Sequence, residues 1–144
     1  MHLFNEQEQE RIRQAVASAE RSTSGEIRIC VEKSSKHAAL DRAVQFFHKL
    51  DMHKTKRRNG VLIYLAVLDK QVAIIGDSGI NAVVPPTFWD TTKEAMVAEF
   101  KKGAMLEGVL KGIEEAGQQL KTYFPSVEND TNELSNDIAF GDGE

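Results

Sequence analysis

Residues 61–68 read VLIYLAVL, eight apolar positions in a row. The run is far short of the roughly 20 residues a membrane-crossing helix needs, and as a strand it is apolar on both faces. Such a segment must lie at the centre of a sheet with a layer packed on each side. Asp69-Lys70 then separates it from Gln71-Val72-Ala73-Ile74-Ile75-Gly76, close enough for a tight hairpin, so a third strand is predicted antiparallel to the second. The rest of the chain has to supply both covering layers.

Asn5 followed three residues later by Glu8 is a capping-box pair, and Ile12, Val16 and Ala19 recur behind it at helical spacing, which predicts a helix over about 6–21. Ser22-Thr23-Ser24-Gly25 ends it. Ile27, Ile29 and Val31 then alternate with Arg28, Cys30 and Glu32, a strand expected to be covered mainly on one side. Leu40, Ala43, Val44, Phe47 and Leu50 form a second amphipathic helix. Pro85-Pro86 precedes a helix with Trp89, Met96, Val97 and Phe100 that stops near Gly103. The last helix carries Leu106, Val109, Leu110, Ile113, Leu120 and Phe124 and stops at Pro125. Gly108 and Gly112, on one face of it, read as points of close packing. The order α-β-α-β-β-α-α, with a helix between strands one and two, predicts parallel pairing and a right-handed crossover. The fold class is α/β, a three-layer α/β/α sandwich around a small mixed sheet.

With 144 residues, roughly 68% of the unfolded surface can be buried, so no disulfide or structural metal is needed. Cys30 is the only cysteine, which excludes an internal disulfide and any multi-thiolate zinc site and suggests a reducing compartment. No targeting or membrane-spanning segment is evident, so the expectation is a cytoplasmic protein without membrane contact. The 18 basic and 22 acidic side chains are unevenly spread. Residues 126–144 hold six acids and no Lys or Arg, which leaves the body from 1 to 125 at +2. Two segments follow: an α/β/α domain over 1–125 and an acidic tail over 126–144. The tail is expected to be solvated; the alternative uses Leu134, Ile138 and Phe140 to dock on a groove or a sheet edge. His53-Lys54-Thr55-Lys56-Arg57-Arg58 is a basic loop that could receive a phosphate or carboxylate. It lacks interleaved aromatics and any nucleic-acid motif, so nucleic acid is not expected as a partner.

The predicted topology brings three loops to one edge of the sheet: Thr23-Ser24-Gly25-Glu26 before strand one, Arg57-Arg58-Asn59-Gly60 before strand two, and Gly76-Asp77-Ser78-Gly79-Ile80-Asn81 after strand three. Glu26 and Asp77 bring hard anionic oxygens and Asn59 a neutral one, a chemistry suited to Ca2+ or Mg2+. The same residues are also ordinary turn formers. Residues 76–81 do not match an EF-hand loop. No Walker A sequence, dinucleotide fingerprint, G-x-S-x-G elbow or His-x3-His pair is present, and Cys30 reads as a small buried side chain rather than a nucleophile.

Thr-Ser-Gly-Glu-Ile-Arg at 23–28, Arg-Asn-Gly-Val-Leu-Ile-Tyr at 58–64 and Ala-Ile-Ile-Gly-Asp-x-Gly-Ile at 73–80 resemble the blocks of the TPM domain, also called the TPM phosphatase domain. The likeness runs on through Phe88-Trp89 and the final helix, over about residues 4–125. It implies an α/β/α sandwich whose sheet-edge loops bind a divalent cation, usually calcium, and for which acid phosphatase activity has been proposed. By that resemblance Glu26 and Asp77 are the acidic ligand positions, with Asn59 and the Gly76 backbone nearby and Asp90 a further candidate. Many members are exported or membrane-anchored, features not evident here.

The resulting expectation is a calcium-binding TPM-domain protein with weak or vestigial phosphatase activity, in which Arg58 would hold an anion, and a monomer. A phosphate-containing ligand or a protein are its candidate partners. The alternative is a non-catalytic interaction module whose loops the ion merely orders.

Overall fold

The computed structural model describes residues 3–126 and 135–141. Helix α1 spans Glu6–Glu20, and both halves of its capping box form: Glu8 N–H donates to Asn5 Oδ1 at 2.8 Å and Asn5 N–H to Glu8 Oε1 at 2.9 Å. Strand β1 (Glu26–Glu32) follows, then α2 (Ala39–Lys49), a 3-10 turn at Met52–Lys54, β2 (Gly60–Ala66) and β3 (Gln71–Gly76). A four-residue helix α3 (Ser78–Asn81) leads to α4 (Asp90–Lys101), α5 (Met105–Tyr123) and a two-residue strand β4 (Ala139–Phe140).

Among the described residues the sheet has the order β3-β2-β1-β4. β1 runs parallel to β2, with Glu26 opposite Gly60, and β2 runs antiparallel to β3, with Val61 opposite Gly76. The pleat sends alternate residues to two cores. Ile27, Ile29, Val31, Val61, Ile63 and Leu65 pack with Ile12, Val16, Met96, Phe100 and Ile113 from α1, α4 and α5. Cys30, Leu62, Tyr64 and Ala73 pack with Ala43, Phe46, Phe47 and Met52 on the α2 side. The three-layer α/β/α sandwich is the observed fold. Gly108 and Gly112 allow α4 to lie on α5: a Cβ at these positions would come within 2.2 Å of Phe100 Cε1 and 2.4 Å of Met96 Sδ.

Three local expectations are corrected. β2 ends at Ala66, and Val67–Lys70 make the turn, with Lys70 in the left-handed region at φ 51°. α2 buries Ala43, Phe46 and Phe47 and leaves Leu40 and Val44 exposed, because its inner face follows 43, 46, 47 and 50 rather than 40 and 44. β1 is covered on both faces instead of one. Its polar side is buried through an ion pair: Arg42 of α2 donates from Nε and Nη2 to the two Glu32 carboxylate oxygens, each at 2.8 Å, and Tyr64 Oη–H donates to Glu32 as well. Burial first, then the nearby Glu32 charge, pushes the Cys30 thiol up to about 12, which makes it an inert core residue.

The expectation of a solvated tail is also corrected over 138–140. Ala139 and Phe140 pair in parallel with Cys30 and Val31, and Ile138 joins the core at 8% exposure. Gly141 N–H donates to Val31 O at 2.9 Å, and a Cβ on Gly141 would lie 2.0 Å from Glu32 Cγ. Apolar burial and ladder hydrogen bonds offset the ordering entropy that acidic composition alone suggested would win. Leu134 and the acids at 128, 130, 133, 142 and 144 lie outside the described residues.

Candidate functional site

The rim of the sheet is laced by backbone hydrogen bonds before any side chain acts. Glu26 N–H donates to Asn59 O at 3.3 Å and Asp77 N–H to Gly60 O at 2.9 Å, so Glu26, Gly60 and Asp77 stand in one row across β1, β2 and the end of β3. Residues in one row of a sheet share a face, here the α2 side. Their backbones are two inter-strand spacings apart, roughly 9.5 Å, with a glycine between them. Position 60 has no side chain to fill the gap. Gly79 N–H donates to Arg58 O at 2.8 Å and fastens α3 to the loop before β2. A Cβ on Gly79 would lie 2.5 Å from Arg58 O and 2.6 Å from Arg57 O, so this closure needs glycine.

Both carboxylates are buried, Glu26 at 4% and Asp77 at 5% exposure. Asp77 begins α3 as its N-cap and accepts from Ser78 N–H at 2.6 Å. Arg58, in the left-handed region at φ 52°, reaches across with Nε to Oδ2 and Nη2 to Oδ1, each at 2.8 Å. Burial works to raise the Asp77 pKa. The Arg58 hydrogen bonds, the Ser78 amide, the Arg58 charge and the charge of His53 outweigh it only together, and hold the carboxyl below its ordinary value. Asn59 is 1% exposed and its Nδ2 donates to Ser24 Oγ at 3.3 Å. Glu26 is engaged as well rather than free.

Glu26, Asn59, Arg58 and Asp77 are thus brought together from three loops. Gly76 is adjacent, but its carbonyl accepts from Asn81 Nδ2 at 3.1 Å. Asp90 is elsewhere: it opens α4 beside a cavity lined by residues 70–74 at the other end of β3. Ser24, Ser78 and His53 belong to the rim's surroundings and were not singled out by the sequence. His53 lay in the basic loop, and its charge acts on Asp77. Its ring also lies 4.9 Å from that of His48. Among the described residues no three His, Cys, Asp or Glu side chains gather as a ready metal cluster.

The sequence profile of the TPM domain matches residues 1–119. The chain belongs to the TPM domain family. This TPM domain is similar to the BA42 protein from the psychrophilic bacterium Bizionia argentinensis, with 47% identity, 97% of each chain covered and a TM-score of 0.90. Two further structures share the fold: the N-terminal domain of a protein from P. gingivalis (19% identity, TM-score 0.71, covering 85% of this chain and 79% of that one) and that of the cg2496 protein from Corynebacterium glutamicum (14% identity, TM-score 0.64, covering 82% and 74%). Among curated proteins nothing matches the chain. Among the described residues no helix is long and apolar enough to cross a membrane.

Proposed function

We propose that this TPM domain binds a divalent cation, calcium foremost and magnesium as a second candidate, at the rim where Glu26 and Asp77 flank Gly60. The row Glu26-Gly60-Asp77 is the observation that carries the reading, because it sets two hard oxygen donors on one face with no side chain between them. The donor chemistry fits: carboxylates and an amide oxygen are what calcium takes, with water completing six to eight ligands. Glu26, Asp77 and Asn59 would hold the ion. Gly76 O is committed to Asn81 and Asp90 stands apart, so neither belongs to this set.

Arg58 is the counter-ion that has to leave Asp77 first. Its side chain is 47% exposed while that of Asp77 is 4% exposed, so Arg58 can swing into water and leave the acid in place. A bound ion would polarise phosphoryl oxygens and acidify a water. Arg58, once released, would sit where it could hold a phosphate through its planar fork. The carboxylates that could serve as a base are already engaged, Asp77 by Arg58 and Glu26 as well, so phosphatase activity is proposed as weak or vestigial, in a cytoplasmic monomer with its single thiol reduced.

Calorimetric titration with calcium tests the site: saturable binding that Asp77→Ala removes supports it, and heat without saturation sinks it. A ligand held only by the native state at a hundredfold excess over Kd stabilises by about 2.7 kcal/mol, so calcium should raise the melting temperature and a chelator should reverse the gain. Turnover of a generic phosphate ester that disappears in Glu26→Ala would establish the activity. Binding without turnover would favour an interaction module whose loops the ion orders.

A further inference from the structure

Among the described residues β3 is an edge strand of the sheet. The bond from Asp77 N–H to Gly60 O makes 60 and 77 a hydrogen-bonded pair, so 62–75 and 64–73 are bonded pairs along the same antiparallel ladder. Val72, Ile74 and Gly76 therefore turn their N–H and C=O groups away from β2. The Gly76 carbonyl is met on that outer side by Asn81. Among the described residues no hydrogen bond reaches the outward groups of Val72 or Ile74.

Those groups open on a slot of about 560 Å³. Leu40 of α2 walls it on one face of the sheet, and Trp89 and Val97 wall it on the other. It occupies the place of a further strand between the two helix layers. Leu40, 58% exposed, gives the slot an apolar wall. At the opposite edge β1 is completed by the two-residue strand Ala139–Phe140, both residues apolar, which shows that this sheet accepts a short apolar strand. Lys70 and Lys93 at the slot outnumber Asp90, which favours an acid in the incoming segment.

We propose that the free edge of β3 takes up an extended segment of another protein, a short apolar stretch beside an acidic residue, as an added strand. Main-chain hydrogen bonds to Val72 and Ile74 would fix it, its alternate side chains would meet Leu40 and Val97, and its acid would face Lys93. This docking surface stands independently of the cation rim.

Panning a phage-displayed library of random hexapeptides against the full chain tests it, with the Ile74→Pro protein as counter-screen. Proline there removes an outward donor without touching the β2 ladder. The expected result is enrichment of acidic-apolar peptides, a synthetic copy of which shifts the Val72 and Ile74 amides in NMR spectra and the emission of Trp89, the only tryptophan. Lys93→Glu, at an exposed helix position that does not threaten folding, should weaken that peptide about fivefold. The proposal is overturned if no peptide is enriched over the counter-screen, if the shifts map to another face, or if affinity is unchanged in Lys93→Glu. It is equally overturned if the edge is filled by a second copy, seen as a concentration-dependent dimer whose Val72 and Ile74 amides shift.

Discussion

Arg58 grips Asp77 through two parallel hydrogen bonds of 2.8 Å, an arginine on a strained left-handed residue holding an acid that is buried at the end of β3. The pairing gives Asp77 its counter-charge and is also the obstacle to any cation there. Arg58→Ala is expected to lower the melting temperature in chelator, because a buried carboxylate loses its counter-charge, and to raise the affinity for calcium. Thermal melts with and without calcium check both effects. A variant that binds calcium no better than the parent removes the competition between Arg58 and the ion.

Acid stability follows from the same pair. The Asp77 carboxyl is held below its ordinary value of 3.8, so its contribution is present above that value and is lost as the pH falls through the lower folded-state value. Urea unfolding between pH 2 and 5 should show stability dropping below about pH 4. Asp77→Asn should flatten part of that slope; an unchanged slope would mean other carboxylates set it.

At the other end of β1, on the same face, Arg42 and Glu32 form a second bidentate pair, with the Glu32 side chain 2% exposed. Arg42→Ala removes the guanidinium that meets both Glu32 oxygens, and breaking such a buried pair typically costs about 3–5 kcal/mol. Replacing Glu32 and Arg42 together with methionines should cost much less, since no lone charge remains. Denaturant titration of the single and double variants separates the cost of an orphaned charge from the worth of the pair.

Gly79→Ala would push a methyl group into the backbone carbonyls of Arg57 and Arg58. Backbone cannot yield as a flexible side chain can, so overpacking of about 1–3 kcal/mol or more is expected, together with loss of calcium binding as the loops part. Calorimetry on the folded fraction of this variant checks the second effect. Gly103→Ala makes the control: its added methyl meets nothing, and its cost should come only from the positive φ of 83°.

The element order, the parallel and antiparallel pairings, the capping box of α1 and the meeting of three loops at one rim were all legible in the chain, because periodicity and turn chemistry are local and topology follows from connection length. Glu26 and Asp77, fifty-one positions apart, were placed on the same edge by that logic alone. The claim of Arg58 on Asp77 was not legible, since ion pairing depends on where a long side chain on a left-handed residue can reach. Nor was the seat of Asp90 beside the β3 slot, because a helix start in sequence carries no information about which end of the sheet it will face. The burial of Glu32 and the docking of Ile138 and Phe140 likewise depended on partners distant in the chain. Composition made both segments look solvated, and only assembled neighbours could offset the desolvation of a charge or the ordering of a tail.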